Sequence, residues 1–267
     1  MAANRRSPSA PAPLAPGVTR GVQIPIATGA VELRDEPDGG VTVYVNGVPS
    51  SSLHADPLRL DFEYMQHEAA AIDAWSQARG DDAWLALHVG AAACTFPRHL
   101  LAAHPGSRHI AVDVDAELSE MARRWWDLPR APRLRIRAQD GLVALAERGD
   151  GTLDLIVRDA FAGAEVPDQL ASHAWWDHAR RVLRPGGLVV ANTAVTPTGD
   201  LARGDARAAS AAFGELLAIG EHAVLRRKRR GNAILVAGAV PLAEVTAALQ
   251  RYAASAPLPT GVVRDWS

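Results

Sequence analysis

Two carboxylates stand where a folded chain could use them for chemistry. Asp113 closes the apolar run Ile110-Ala-Val-Asp113, and Asp159 closes the run Leu153-Asp-Leu-Ile-Val-Arg-Asp159. Upstream of both, Leu85-Ala-Leu-His-Val-Gly90 passes into the small-residue loop Ala91-Ala-Ala-Cys94, and a helix is predicted over 96–103. Strand, tight turn, helix, strand and acid make the unit in which backbone approaches a nucleoside and the terminal acid accepts hydrogen bonds from ribose hydroxyls. Taken alone the loop is a weak signature, because Ala92 and Cys94 occupy positions where a full G-x-G-x-G run has glycine. Asp113 is therefore weighed as a ribose anchor against a plain strand-ending acid. Asp115 reads as the N-cap of a helix starting at Ala116. Asp159 falls at the carboxyl edge of its strand, where ligands of open α/β sheets gather.

These residues need a scaffold, and the chain is long enough to build one. Its 267 residues fit one large or two unequal domains, and 48% hydrophobic residues with a net charge of −2 suit a globular enzyme rather than a general polyanion binder. The single cysteine, Cys94, excludes an intrachain disulfide and a multi-cysteine zinc site and suits a reducing compartment. No apolar stretch approaches the roughly 20 residues of a membrane span. Residues 1–17 carry Arg5 and Arg6 but no apolar h-region, so 1–20 is expected to be a disordered tail and the protein cytoplasmic.

Three short β-prone runs over 22–26, 30–34 and 41–45, punctuated by Asp38-Gly-Gly40 and Asn46-Gly47, predict a small N-terminal β-element within 21–55. Leu60, Tyr64, His67, Glu68, Ala71, Ile72 and Trp75 then recur at helical spacing, predicting a helix to about Arg79. From there strands over 84–89, 109–113, 134–137, 153–159 and 187–193 alternate with helices over 96–103, 116–126, 141–148 and 169–183. The strands are continuous apolar runs, as expected when helices cover both faces. A helix over 201–219 is followed by runs at 223–227 and 233–237, joined as a hairpin. The fold class is thus α/β, a Rossmann-like seven-stranded, mostly parallel sheet with a terminal antiparallel hairpin, forming one domain over 56–256. A closing helix is placed at 241–253, and 257–267 is expected to be a tail.

Four segments in order, Leu87 to Thr95, Val112-Asp-Val-Asp115, Gln139-Asp-Gly141 and Asp154-Leu-Ile-Val-Arg-Asp-Ala-Phe161, resemble the spermidine synthase (aminopropyltransferase) family. Arg181-Val-Leu-Arg-Pro-Gly-Gly-Leu188 is shared with class I methyltransferases generally, and Phe62-Glu-Tyr-Met-Gln-His-Glu68 resembles the family's Tyr-His-Glu helix. The resemblance implies a donor of S-adenosylmethionine type, intact or decarboxylated, with Asp113 and Val114 at the ribose and Gly90, Ala91 and Ala92 along the nucleoside. It implies that Asp140, next to Gly141, meets the adenine amino group, although an Asp-Gly turn is also an ordinary N-cap. It implies that Asp159, beside Ala160, orients a small-molecule amine acceptor and helps remove its proton, since only a neutral amine is nucleophilic. Tyr64, Gln66 and His67 are candidates for the acceptor pocket, with core packing as the alternative.

Two departures stand out. Ala93 and Ala162 replace acids of the family pattern, leaving a pocket poorly matched to the two ammonium ends of a diamine. A methyltransferase on the same scaffold and a catalytically silent nucleoside-binding member are therefore weighed beside aminopropyl transfer. His88 reads as a packed histidine, and no metal site is expected. The basic run Arg226-Arg-Lys-Arg-Arg230 reads as a solvated turn rather than a nucleic-acid contact. A homodimer is implied by the resemblance only.

Overall fold

A computed structural model describes residues 14–240 and 242–266. Most of the expected N-terminal tail lies outside the described residues. Its described end does not hang free: Ala15 N–H donates to the Trp125 carbonyl at 2.8 Å, and Leu14 bridges to Trp126.

Four antiparallel strands come first, β1 (Ile24–Ile26), β2 (Gly29–Asp35), β3 (Val41–Val45) and β4 (Val48–Leu53), in the order β1-β2-β3-β4. The fourth was not legible because Val48-Pro-Ser-Ser-Ser-Leu53 is polar; only its last residues are buried. Helix α1 (Glu63–Arg79) follows, then β5 (Leu85–Val89), α2 (Thr95–Ala103), β6 (Arg108–Asp113), α3 (Ala116–Trp125), β7 (Leu134–Ala138), α4 (Gly141–Ala146) and β8 (Leu153–Arg158). The chain continues through α5 (His173–Val182), β9 (Leu183–Val195), α6 (Leu201–Phe213), β10 (Leu217–Glu221), α7 (His222–Leu225), β11 (Gly231–Gly238), α8 (Ala243–Ser255) and β12 (Thr260–Arg264).

The main sheet has the order β12-β10-β11-β9-β8-β5-β6-β7. Strands β5 to β9 pair in parallel, whereas β11 runs antiparallel to β9 and β10, and β12 antiparallel to β10. Eight strands therefore stand where seven were expected. The eighth comes from residues expected to form a tail: β12 pairs along β10, and Trp266 is buried with its indole N–H donating to the Leu225 carbonyl at 2.8 Å. Thr260-Gly-Val-Val-Arg264 holds only two apolar residues, too few to announce a strand, and β12 is held by the open edge of β10. The hairpin's first strand is likewise earlier than expected, since α6 stops at Phe213 before Gly214 in the left-handed region and Leu217-Ala-Ile-Gly-Glu221 extends along β11. The residues expected as that strand form the short α7 instead.

One apolar cluster on one sheet face takes in Leu87, Val89, Trp175 and Trp176; a second, with Ile72, Trp75 and Leu155, lies under α1 and α8. A third joins the N-terminal sheet to the loop at Ala91–Cys94 and to α3. Polar ties reinforce that junction: Thr28 donates from its backbone N–H and its hydroxyl to Asp115, both at 2.8 Å, while Asp115 also caps α3 through Leu118 N–H at 2.8 Å. Such a cap is worth about 1 kcal/mol. No helix among the described residues is long and apolar enough to cross a membrane.

Candidate active site

Crossovers from β5 run to β6 and β7 on one side and return to β8 and β9 on the other, so the carboxyl ends of β5 and β8 flank a topological switch point, where open α/β sheets bind ligands. A cavity of about 680 Å³ opens there, lined by the loop after β5, the ends of β6 and β8, Tyr64 and Met65 of α1, and the β3–β4 turn of the N-terminal sheet.

Gly90 is the pivot. Its φ of +81° is one that residues with a Cβ rarely adopt, and a Cβ there would strike the Asp159 carbonyl oxygen and Ala160. The strand ladders draw the three acids together at this edge: Gly90 N–H donates to the Val112 carbonyl at 3.0 Å, Asp159 N–H to Val89 at 2.9 Å, and Gln139 N–H to Asp113 at 2.9 Å. Asp113 binds its own loop, one carboxylate oxygen accepting from the backbone N–H groups of Ala91 (3.1 Å) and Ala92 (2.9 Å), the other from Asp115 N–H at 3.0 Å. Ala92 and Cys94 take positive φ values, 40° and 61°, so the loop makes its turns without glycine at those positions. Val114, 61% exposed, lines the outer wall beside Asp113.

Asp140 combines two tasks. One oxygen caps α4, accepting from Leu142 N–H (2.9 Å) and Val143 N–H (3.0 Å), while the other accepts from the Gln169 side-chain amide at 2.7 Å. Both Asp140 and Gly141 line the cavity.

Asp159 is held from two sides. Tyr64 Oη–H donates to one oxygen at 3.0 Å, and Asn192 Nδ2–H donates to the other at 2.8 Å. Asn232 Nδ2–H donates in turn to Asn192 Oδ1 at 2.9 Å. Desolvation pushes the Asp159 carboxyl up to about 6, with the bonds from Asn192 and Tyr64 and the neighbouring Arg158 pulling the other way. One turn beyond Tyr64 on α1, Glu68 is fully buried with neither oxygen hydrogen-bonded, and burial first and Asp159 second hold it well above the usual carboxylate range. Arg158 points to the opposite sheet face, where it forms a buried ion pair with Asp205 and donates to the Leu170 carbonyl at 2.7 Å.

Gly90, Ala91, Ala92, Asp113, Val114, Asp140, Gly141, Asp159, Ala160 and Tyr64 thus share one cavity. Gln66 and His67 do not reach it. Gln66 donates to the Leu60 carbonyl at 2.8 Å, and His67 Nδ1 lies 2.9 Å from the Tyr252 hydroxyl between α1 and α8. Helical geometry turns Gln66, two places on, away from Tyr64, whereas His67, three places on, is drawn to the Tyr252 hydroxyl of α8. Sequence reasoning missed Asn192, Asn232 and Gln169. The first had a signal, an amide inside the apolar run Leu188-Val-Val-Ala-Asn192, where a buried polar group needs a partner. Cys94 is buried, its thiol pushed up to about 12 chiefly by desolvation, which leaves no thiolate for catalysis.

No protein-family model matches the chain. A probable polyamine aminopropyl transferase from Bifidobacterium longum is 30% identical over 115 residues, covering 43% of this chain and 25% of that protein, so the match spans a quarter of the curated relative's length. The crystal structure of a probable spermidine synthase from Corynebacterium glutamicum superposes with a TM-score of 0.85 at 30% identity, covering 92% of this chain and 91% of that one. Spermidine synthase from Thermotoga maritima shares the fold, with a TM-score of 0.62 at 18% identity over 83% of this chain and 75% of that one.

Proposed function

Because the chain belongs to the spermidine synthase family, we propose that it is a transferase that moves an aminopropyl group from a sulfonium nucleoside to a small amine. Asp159 carries the reading: a carboxylate pushed up to about 6, hydrogen-bonded by Tyr64 and Asn192 and set opposite the Gly90 turn inside the cavity.

The residues fit a nucleoside. Gly90 leaves room for backbone approach, Asp113 holds the loop and offers carboxylate lone pairs to ribose hydroxyls, and Asp140 with Gln169 presents polar atoms to an adenine edge. The donor, decarboxylated or intact S-adenosylmethionine, supplies a carbon activated by its bond to positive sulfur. Asp159 aligns the amine nitrogen with that carbon. As the N–C bond forms, the C–S bond breaks, its electron pair stays on sulfur as a neutral thioether, and Asp159 takes the proton from nitrogen. A base titrating near 6 is ionised at neutral pH yet holds a proton well enough to share in the transfer.

Incubation with each donor and a panel of small amines, read by product mass, tests the proposal. An aminopropyl increment supports it, a methyl increment replaces it with methyl transfer on the same site, and nucleoside binding without product replaces it with a ligand-binding role.

A further inference from the structure

The wall of the cavity below the reacting edge contains a histidine whose protonation pattern its neighbours dictate. His88 lies in β5 two residues before the Gly90 turn, which sets it about 6–7 Å deeper along the strand. His88 pairs in register with Val157, as Val157 sits two residues before Asp159. Val157 is the register partner of His88, the Phe96 ring lies edge-on to the His88 ring at 6.2 Å, and both line the cavity together with Met65.

Inward from the ring runs a hydrogen-bonded chain. His88 Nε2 lies 2.8 Å from His109 Nδ1, His109 Nε2 lies 2.8 Å from Ser107 Oγ, and Ser107 Oγ–H donates to the His104 carbonyl at 2.6 Å. The carbonyl can only accept, so the serine spends its one hydrogen there. His109 Nε2 must then carry a hydrogen and donate it to Ser107. In the neutral ring this leaves His109 Nδ1 bare, and His88 Nε2 must donate to it. Burial keeps both rings neutral, pushing His88 down to about 3 and His109 well below the usual histidine value, the latter with help from His88. His88 Nδ1 is consequently a bare lone pair, and no hydrogen bond from a described residue occupies it.

We propose that His88 is a specificity-determining residue whose Nδ1 accepts a hydrogen bond from the far end of the bound amine, and that this end is an uncharged hydroxyl or amide. This rests on the amine-acceptor reading above. The depth of His88 suits a group about five bonds from the reacting nitrogen. The inner end favours an uncharged donor, because Met65, Phe96 and Val157 offer no counter-charge and the Glu68 oxygens are closed off from solvent. An ammonium placed there would be buried without an anionic partner, whereas a hydroxyl needs only the one acceptor.

Two measurements test this. Nitrogen-15 NMR of the labelled protein should show His88 as the neutral Nε2–H form from pH 5 to 8, and an Nδ1–H or cationic ring would overturn the assignment. Calorimetry on protein loaded with methylthioadenosine should then show 4-aminobutan-1-ol binding about tenfold tighter than butan-1-amine, the worth of one hydrogen bond, and tighter than 1,4-diaminobutane. His88→Leu should erase the advantage of the hydroxyl over the methyl terminus. His109→Phe, which frees His88 to change tautomer without touching the cavity, should weaken it. Tighter binding of the diamine, an unchanged hydroxyl preference in both variants, or no binding of any of the three would sink the proposal. Binding in this order without turnover would instead sink the transfer reading and leave the role of His88 standing.

Discussion

Tyr64 and Asp159, 95 residues apart in sequence, meet at 3.0 Å, the phenol donating to a carboxylate oxygen. This bond and that from Asn192 both favour the ionised acid and oppose the desolvation that raises it. If the ionised form is the working base, activity rises with pH through about 6. Tyr64→Phe and Asn192→Leu each remove a bond to the anion, so the acid limb of the kcat/KM profile should move to higher pH in both. A limb that stays in place, or moves down, would disconnect Asp159 from the rate.

Asp159→Asn should abolish transfer while leaving methylthioadenosine affinity within a few-fold of wild type, because a general base of this kind contributes roughly 10²–10⁴-fold. Loss of nucleoside binding in parallel would assign the residue to binding.

The same substitution has a thermodynamic signature. The folded-state value of about 6 lies above the unfolded reference of about 3.9, so between these values the folded protein holds the extra proton and stability falls as pH rises. The loss is complete above about pH 6 and absent below about pH 4. Asp159→Asn should therefore be more stable than wild type at pH 7.5 by roughly 1–3 kcal/mol, the upper figure being the full linkage and the lower allowing for the side of the carboxyl that faces the cavity. The two proteins should converge near pH 4 in denaturant titrations.

Asp113→Ala should weaken nucleoside binding at least tenfold, because it removes both the proposed ribose acceptor and the carboxylate that fixes Ala91 and Ala92. Asp140→Ala should cost about 1 kcal/mol of stability through the α4 cap alone. Calorimetric binding beside thermal melts separates the two contributions.

Trp266→Ala should cost about 3 kcal/mol, since a buried indole and its bond to Leu225 are lost together. A change within a few tenths would mean that the C-terminal strand is dispensable.

The part of the cavity proposed for the nucleoside was legible because its residues are local: Gly90, Asp113 and Asp140 each sit at a strand end, and a strand end can be read from a short apolar run. The part proposed for the acceptor was not, because Asn192 and Asn232 are brought to Asp159 by strand pairings across 33 and 40 residues, which no local pattern encodes. Gln66 and His67 were candidates by likeness to a motif, with packing as the alternative, and their side chains bond Leu60 and Tyr252 while Tyr64 faces the cavity. The alternating strands and helices from Leu85 to Val195 carried strong signals, since buried parallel strands are continuous apolar runs. Strands β4 and β12 were missed because one is mostly polar and the other has only Val262 and Val263 as apolar residues and is held by a neighbouring edge.

The hydrogen bond from the Asn232 amide to Asn192 Oδ1 ties the reversed C-terminal hairpin to the side chain that holds Asp159. The grips proposed for ribose and base lie on the other side of the switch point, on β6 and β7 and the turns that follow them. A lineage could therefore rewrite the hairpin and the inner wall, and exchange one acceptor for another, while inheriting its hold on the nucleoside unchanged.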